Sequence, residues 1–353
     1  MLIKMQVGEQ DRGELQVNVT DSDNAPIRDA RVTISEPETA INPNSPIERL
    51  ETDVSGQTQI VDLNTPPLEY SLNENNENMP YANYNIQIEV PGYETENIRN
   101  VEILPDSLSL QNVRMRKREG EQVENIDIDP HTLIAEYPEK IPEDEIKDVN
   151  EPGEIVLSRV VIPEYVVVHN GTPSSNARDY YVTYKDYIKN VASSEIYATW
   201  PRATIEANVL AIMSFTLNRV YTEWYRNKGY DFTITSSTAY DQKWIYGRNI
   251  FQSIDEVVDD IFNQYLSRPD VRQPILTQYC DGKRVTCPNW LSQWGSCNLG
   301  EQGFGTLEII RNYYGDDMYI NTAEQISGIP ASWPGYDLTI GASVRRLCRC
   351  RNS

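Results

Sequence analysis

Glu195 is the residue whose position in this sequence asks for a chemical explanation. The segment from Thr183 to Ile196 reads as a helix. Thr183 is a good N-cap with Asp186 three residues on, and Tyr184, Ile188 and Val191 share one face at spacings of four and three. Glu195 lies four residues past Val191 and continues that apolar stripe. It also sits at the helix C-terminus, where the macrodipole disfavours negative charge. Both effects raise a carboxyl pKa toward the range of a general acid at neutral pH. The competing reading is a helix that ends early and leaves Glu195 in solvent, since structural carboxylates outnumber catalytic ones.

Other chemistries are less well supplied. A second carboxylate, as an ordinary glycosidase needs, has Asp231 and Asp241 as candidates, but no motif pairs either with Glu195. Cys280, Cys287 and Cys297 lack a C-x-x-C spacing, and His131 and His169 both precede them, so neither metal nor cofactor is expected. A serine or cysteine nucleophile needs a matched histidine, and no elbow motif accompanies His169. Cys280 and Cys287 bracket the short loop CDGKRVTC and could pair in a disulfide. Reduced thiols are the favoured reading for an odd count of five in a reducing compartment.

The elements around Glu195 give an α+β, multidomain chain. Residues 1–116 read as a small β-sandwich. Leu15, Val17 and Val19 alternate with polar neighbours, turns are signalled at Asp23–Pro26 and Ser55-Gly56, and YNIQIEV alternates again before Pro91-Gly92. Residues 117–158 are acidic and proline-bearing without a period, and read as a linker that cannot fold alone. Residues 159–340 read as a mixed α/β domain with a long central helix from Pro201 to about Lys228. Its apolar positions Ile205, Val209, Ile212, Leu217 and Trp224 follow the 3.6 period. Ser253 and Glu256 suggest a capping box for a further helix.

The net charge of −22 is uneven. Through Ser158 there are 33 acidic and 12 basic residues; after it there are 20 and 19. Such acidity argues against a nucleic-acid partner, while the neutral C-terminal half suits a glycan. No apolar run reaches the roughly 20 residues of a membrane helix, so no membrane partner is expected. The N-terminus lacks the apolar core of a Sec signal peptide, so synthesis in a cytoplasm is expected.

The stretch KDYIKNVASSEIYATWPRATIEANVLAIMSFTLNRVY resembles the core motif of the SpoIID/LytB family, with Glu195 on the family's catalytic glutamate and Trp200-Pro201 on its break before the long helix. LSQWGSCNLGEQGFGTLEIIRNYYGD resembles the family's second motif through Ser292, Gln293, Gly295, Gly303, Ile309, Tyr313 and Tyr314. The sequence departs from the family at Glu206, Asn208 and Met213, and has Asn289-Trp290-Leu291 where relatives often carry His-Gly. NAPIRDARVTI, TDVSGQT and YNIQIEVPGYE resemble a transthyretin-like, carboxypeptidase-regulatory sandwich.

The order of sandwich, acidic linker and SpoIID-like domain resembles the clostridial spore cortex-lytic enzymes of the SleC type. That resemblance implies a lytic transglycosylase acting on spore cortex peptidoglycan, located in the spore cortex or coat region and made in the mother cell. It also implies a precursor activated by a subtilisin-like germination protease cutting at Glu154, Ile155, Val156 or Leu157. Trp200, Tyr240, Ser292, Gln293 and Trp294 are the expected substrate contacts. Residues 341–353 resemble the start of a peptidoglycan-binding module and are expected to be its truncated remnant. The rival readings are a non-catalytic wall-binding or enzyme-enhancing protein and a muramidase.

Overall fold

The computed structural model describes residues 10–37, 45–118, 123–148 and 156–327. The tail 341–353 and two positions of the expected cleavage segment, Glu154 and Ile155, lie outside them. The protein is mixed α+β and divides into two compact units. The first comprises Met1–Ala135, Tyr197–Trp200 and Ile245–Asp255; the second comprises Glu136–Ile196, Pro201–Trp244 and Glu256–Ser353.

The first unit contains two sheets. One is five-stranded, from β2 (Arg31–Ser35), β3 (Pro46–Glu51), β5 (Ala82–Glu89), β6 (Thr95–Ile103) and β8 (Val123–Asp127), in the order β3-β2-β5-β6-β8. The other joins β1 (Asp11–Thr20), β4 (Val61–Thr65), β7 (Leu108–Arg114) and β13 (Ile250–Phe251), in the order β13-β7-β1-β4. Alternation along β1 sends Leu15, Val17 and Val19 inward, where they meet Val32, Ile34, Ile86, Ile88 and Ile98 in one apolar core. The turn at Ser55-Gly56 forms around Asp53, whose Oδ1 accepts from the amides of Ser55 and Gln57. Gly56 has φ +75°, and a Cβ there would stand 2.5 Å from the Val19 carbonyl oxygen, so only glycine fits.

Two boundaries differ from the sequence reading. β8 pairs in parallel with β6, so the sandwich runs on into the expected linker. Residues 245–255 belong to the first unit because β13 extends a sheet edge and the Arg248 guanidinium meets Glu102 at 2.5 Å, both side chains buried.

Glu96 on β6 is 3% exposed. Burial raises its carboxyl to about 7, with Arg116 opposing and Glu94 adding to the rise. A folded pKa above the unfolded one means that Glu96 supports the fold while protonated. That support is complete below about pH 4.5 and is lost as the pH rises through about 7. Glu96→Gln is therefore expected to stabilise the protein by about 1–3 kcal/mol at pH 8 and by almost nothing at pH 4. Urea unfolding at the two pH values measures this, and an equal effect at both contradicts it.

The second unit is built on α3 (Arg202–Tyr221). Its sheet joins β10 (Tyr165–His169), β11 (Asp179–Thr183) and β12 (Ile234–Thr235) in the order β11-β10-β12. α2 (Tyr184–Glu195) follows β11, and Thr183 Oγ1 caps it by accepting from the Asp186 amide. α3 also packs against α5 (Gln293–Glu301) and α6 (Thr306–Tyr314). The sequence predicts one apolar stripe, but α3 is buried almost all round. Several of its polar groups bond within the helix: Ser214 Oγ to the Leu210 carbonyl, Thr216 Oγ1 to that of Ile212, and Asn208 Nδ2 to that of Thr204. α3 stops at Tyr221 rather than Lys228 because Glu223 turns to φ +46°, and a short 3-10 turn, Arg226–Lys228, then leads to Gly229. The helix predicted to be capped by Ser253 begins at Gln252 instead, and the Ser253 hydroxyl donates to the Ala198 carbonyl.

Candidate active site

Glu195 is the last residue of α2 and is wholly buried. Tyr184, Tyr187, Ile188 and Val191 on the same helix are buried with it, as the spacing requires. Two donors hold its carboxylate. The Lys243 amide donates to Oε1 at 2.7 Å, and the Tyr279 hydroxyl donates to Oε2 at 2.5 Å. Burial drives the Glu195 pKa up; the Lys140 ammonium, the Lys243 amide and the Tyr279 hydroxyl each oppose it, and the net direction is upward. A carboxyl with an elevated pKa and fixed geometry can give up a proton and take one back.

The elements that fix these donors are short. Tyr279 lies on β15 (Tyr279–Cys280), which pairs in parallel with β16 (Leu291–Ser292). Cys280 is bonded to Cys287 in a disulfide, with 5.7 Å between the Cα atoms. The loop between them is also tied down by Asp281, which accepts from the amides of Lys283, Arg284 and Val285. The pairing that the short loop made possible thus forms, and the favoured reading of reduced thiols does not describe these two residues. Cys297 is buried.

Lys243 is held by the segment before it. Asp241 Oδ1 accepts from Arg219 Nε at 2.8 Å, and Oδ2 accepts from Tyr225 Oη at 2.6 Å and Thr235 Oγ1 at 2.6 Å. Gln242 accepts from the Tyr187 hydroxyl and donates Nε2 to the Ile212 carbonyl. Both oxygens of Asp241 are thus committed, and Asp231 lies exposed. Asp241, which the sequence offered with Asp231 as a second carboxylate, is thus occupied in structural bonds.

The other sequence-predicted residues divide. Gln293 is wholly buried, and both polar ends of its amide lack a partner among the described residues. Each unmet end costs on the order of 1–3 kcal/mol unless a polar group reaches it, which suits a substrate contact. Ser292 instead caps α5, its Oγ accepting from the Gly295 amide at 2.9 Å. Gly295 is required there because a Cβ would stand 2.3 Å from the Tyr313 hydroxyl oxygen. Trp294 is buried, and Trp200, 3% exposed, donates Nε1 to the Ser71 carbonyl and meets Tyr197 edge-on. Neither indole has an open face for a sugar ring, contrary to expectation. Tyr240 is half-exposed, and its carbonyl accepts from Arg219 Nη2. Val156 and Leu157 of the expected cleavage segment are buried, with the Leu157 amide bonded to the Tyr221 carbonyl, so a protease reaches them only after local opening.

His169 meets Asp179 at 2.7 Å and Ser175 Oγ at 3.2 Å, an order that mimics a hydrolase triad. The Ser175 hydroxyl donates to the Thr172 carbonyl at 2.7 Å, so its proton is committed to closing a turn. Among the described residues no group of three or more His, Cys, Asp or Glu side chains gathers as a metal site.

Sequence reasoning missed Tyr279, Arg219 and the Lys243 amide. Tyr279 neighbours the cysteine pair, a weak signal that this short strand is fixed in place. A backbone donor leaves no residue-type signal at all.

Tyr279→Phe removes one donor from Glu195. Its pKa is expected to rise further, and turnover to fall about ten-fold as the carboxyl loses its orientation. A general acid acts when protonated, so with Glu195 in that role the alkaline limb of the kcat/KM profile moves to higher pH. An unshifted limb contradicts this role.

No protein-family model and no curated protein matches this chain. Among solved structures it is similar to the catechol 1,2-dioxygenase of Acinetobacter radioresistens, at 14% identity and a TM-score of 0.23, covering 33% of this chain and 58% of that one. The minor pilin of Streptococcus agalactiae is 17% identical with a TM-score of 0.22, covering 32% of this chain and 48% of that one. The TIE protein of Bacillus anthracis is 13% identical with a TM-score of 0.20, covering 30% of this chain and 17% of that one. The chain thus spans 58% of the dioxygenase's length. Likenesses this slight carry no argument about fold or activity.

Proposed function

We propose that this chain is a lytic transglycosylase that cleaves spore cortex peptidoglycan with Glu195 as its acid and base. The carrying observation is a buried carboxyl of elevated pKa, while Asp241, the buried carboxylate the sequence offered beside it, has both oxygens committed elsewhere. One carboxyl suffices for this reaction. Protonated Glu195 gives its proton to the oxygen between N-acetylmuramic acid and N-acetylglucosamine, and the bond from that oxygen to the muramic C1 breaks. The carboxylate then takes the proton of the muramic C6 hydroxyl as that oxygen bonds to C1, closing a 1,6-anhydro ring. No water is consumed, whereas a muramidase needs a second group to direct one.

The domain order supports the rest of the reading. The first unit is a transthyretin-like sandwich, the second a SpoIID-like catalytic domain, and the chain a precursor that a subtilisin-like germination protease cuts near Glu154–Leu157 in the spore. Intact chain and chain cut in that segment, each incubated with cortex peptidoglycan, test it. Muropeptide release that rises sharply after the cut is expected. Equal release sinks the precursor, and wall binding without release favours a non-catalytic protein.

A further inference from the structure

Residues 136–147 belong to the acidic stretch that composition marks as a linker, yet they are ordered and pass beside Glu195. Their inner face consists of Tyr137, Lys140 and Glu143, at the spacing of three that an extended, proline-bearing chain gives; Pro138 and Pro142 hold it extended. Lys140 is 5% exposed. Its ammonium donates to the Asp241 carbonyl at 2.6 Å and lies 4.4 Å from the centre of the Tyr279 ring, the ring whose hydroxyl holds Glu195. Tyr137 is buried, and its hydroxyl has no hydrogen-bond partner among the described residues.

Two features separate this strap from an ordinary part of the core. Its polarity is inverted: Ile141 and Ile146 face solvent, 43% and 41% exposed, while Lys140 and Lys147 are buried. A segment selected only for stability would bury the isoleucines and expose the lysines. Its backbone is also held mainly by side chains, as a bound peptide is. Gln278 takes the Glu143 amide and donates to the Ile141 carbonyl; Gln273 takes the Lys147 amide and donates to the Lys147 carbonyl. Arg219 grips Glu143 with a two-pronged guanidinium.

We propose that residues 136–147 are seated in the groove that takes the glycan strand, and that Glu195 reaches substrate only when they leave. The groove is then lined by Gln273, Gln278, Arg219 and Tyr279, amide and cationic donors suited to the hydroxyl, acetamido and carboxylate groups of peptidoglycan. While seated, the strap excludes solvent from Glu195, which raises its pKa, and sets the Lys140 cation beside it, which opposes that rise without cancelling it. This inference rests on Glu195 being the catalytic group, but its test does not depend on substrate.

The experiment labels Glu195 in the full chain with a water-soluble carbodiimide and an amine, read by peptide mass spectrometry. In Tyr137→Ala/Glu143→Ala the strap loses its buried ring and its grip on Arg219. Glu195 is expected to label about ten-fold faster there than in the unmodified chain, the protection having been a local closure. Equal labelling, with the variant folded by circular dichroism, overturns the proposal. Should the variant not fold, hydrogen exchange on the unmodified chain decides. Protected amides at Ile141, Glu143 and Lys147 are expected, and exchange at the rate of an unstructured peptide overturns it. Faster labelling with no muropeptide released upholds the strap and sinks the transglycosylase reading instead.

Discussion

Glu195→Gln is expected to lower muropeptide release by at least about 10³-fold while the protein stays folded. General acid and general base catalysis each contribute about 10²–10⁴, and in the proposed mechanism one side chain supplies both in succession. Glutamine keeps the shape, and its carbonyl oxygen can still accept the Lys243 amide. Tyr279 can turn its hydroxyl oxygen to accept from the new amide. The substitution also removes a charge that burial disfavours, so the unfolding midpoint should move by only a few degrees. Retained activity in a folded variant would remove Glu195 from the chemistry.

Asp241→Ala is expected to cost stability on the largest scale of any single change proposed, about 3–5 kcal/mol. Arg219 is 1% exposed and Asp241 wholly buried, with their 2.8 Å bond set among Tyr225 and Thr235. Truncation leaves a guanidinium in the interior with Glu143 as its remaining carboxylate, and leaves the Thr235 amide and two hydroxyls unmet. That loss is a large share of the ~5–15 kcal/mol by which domains are stable. Asp241→Asn retains the acceptor on one side and should cost roughly half as much. Urea unfolding of the three chains measures the series. A mild effect of both substitutions would mean that the pair is solvated in solution.

The parts legible in the sequence are those that repeat a local period. The alternation of Leu15, Val17 and Val19 and the spacing of Ile188, Val191 and Glu195 follow from strand and helix geometry, and a single chain suffices to read them. The Thr183 cap is equally local. What stayed hidden was tertiary. Tyr279 and the Lys243 amide meet Glu195 from 84 and 48 residues away. The burial of polar α3 residues depends on elements packed round it from all sides. The strap was misread for a physical reason: composition predicts that an acidic, proline-bearing segment cannot build a core of its own. That reasoning is silent on whether a segment is held by a groove that another part of the chain supplies. Trp200, Ser292 and Trp294 show the reverse error, since residue types suited to sugars serve here as packing and a helix cap.

The proposed function turns on one carboxyl breaking the glycan without water. The most direct test is to digest cortex peptidoglycan with the cut chain in heavy-oxygen water and weigh the released muropeptides. Single-carboxyl chemistry predicts muramic ends lighter than a reducing end by the mass of one water, with no heavy oxygen incorporated. Reducing ends carrying one heavy oxygen would contradict it and would show that a second group directs water to the bond.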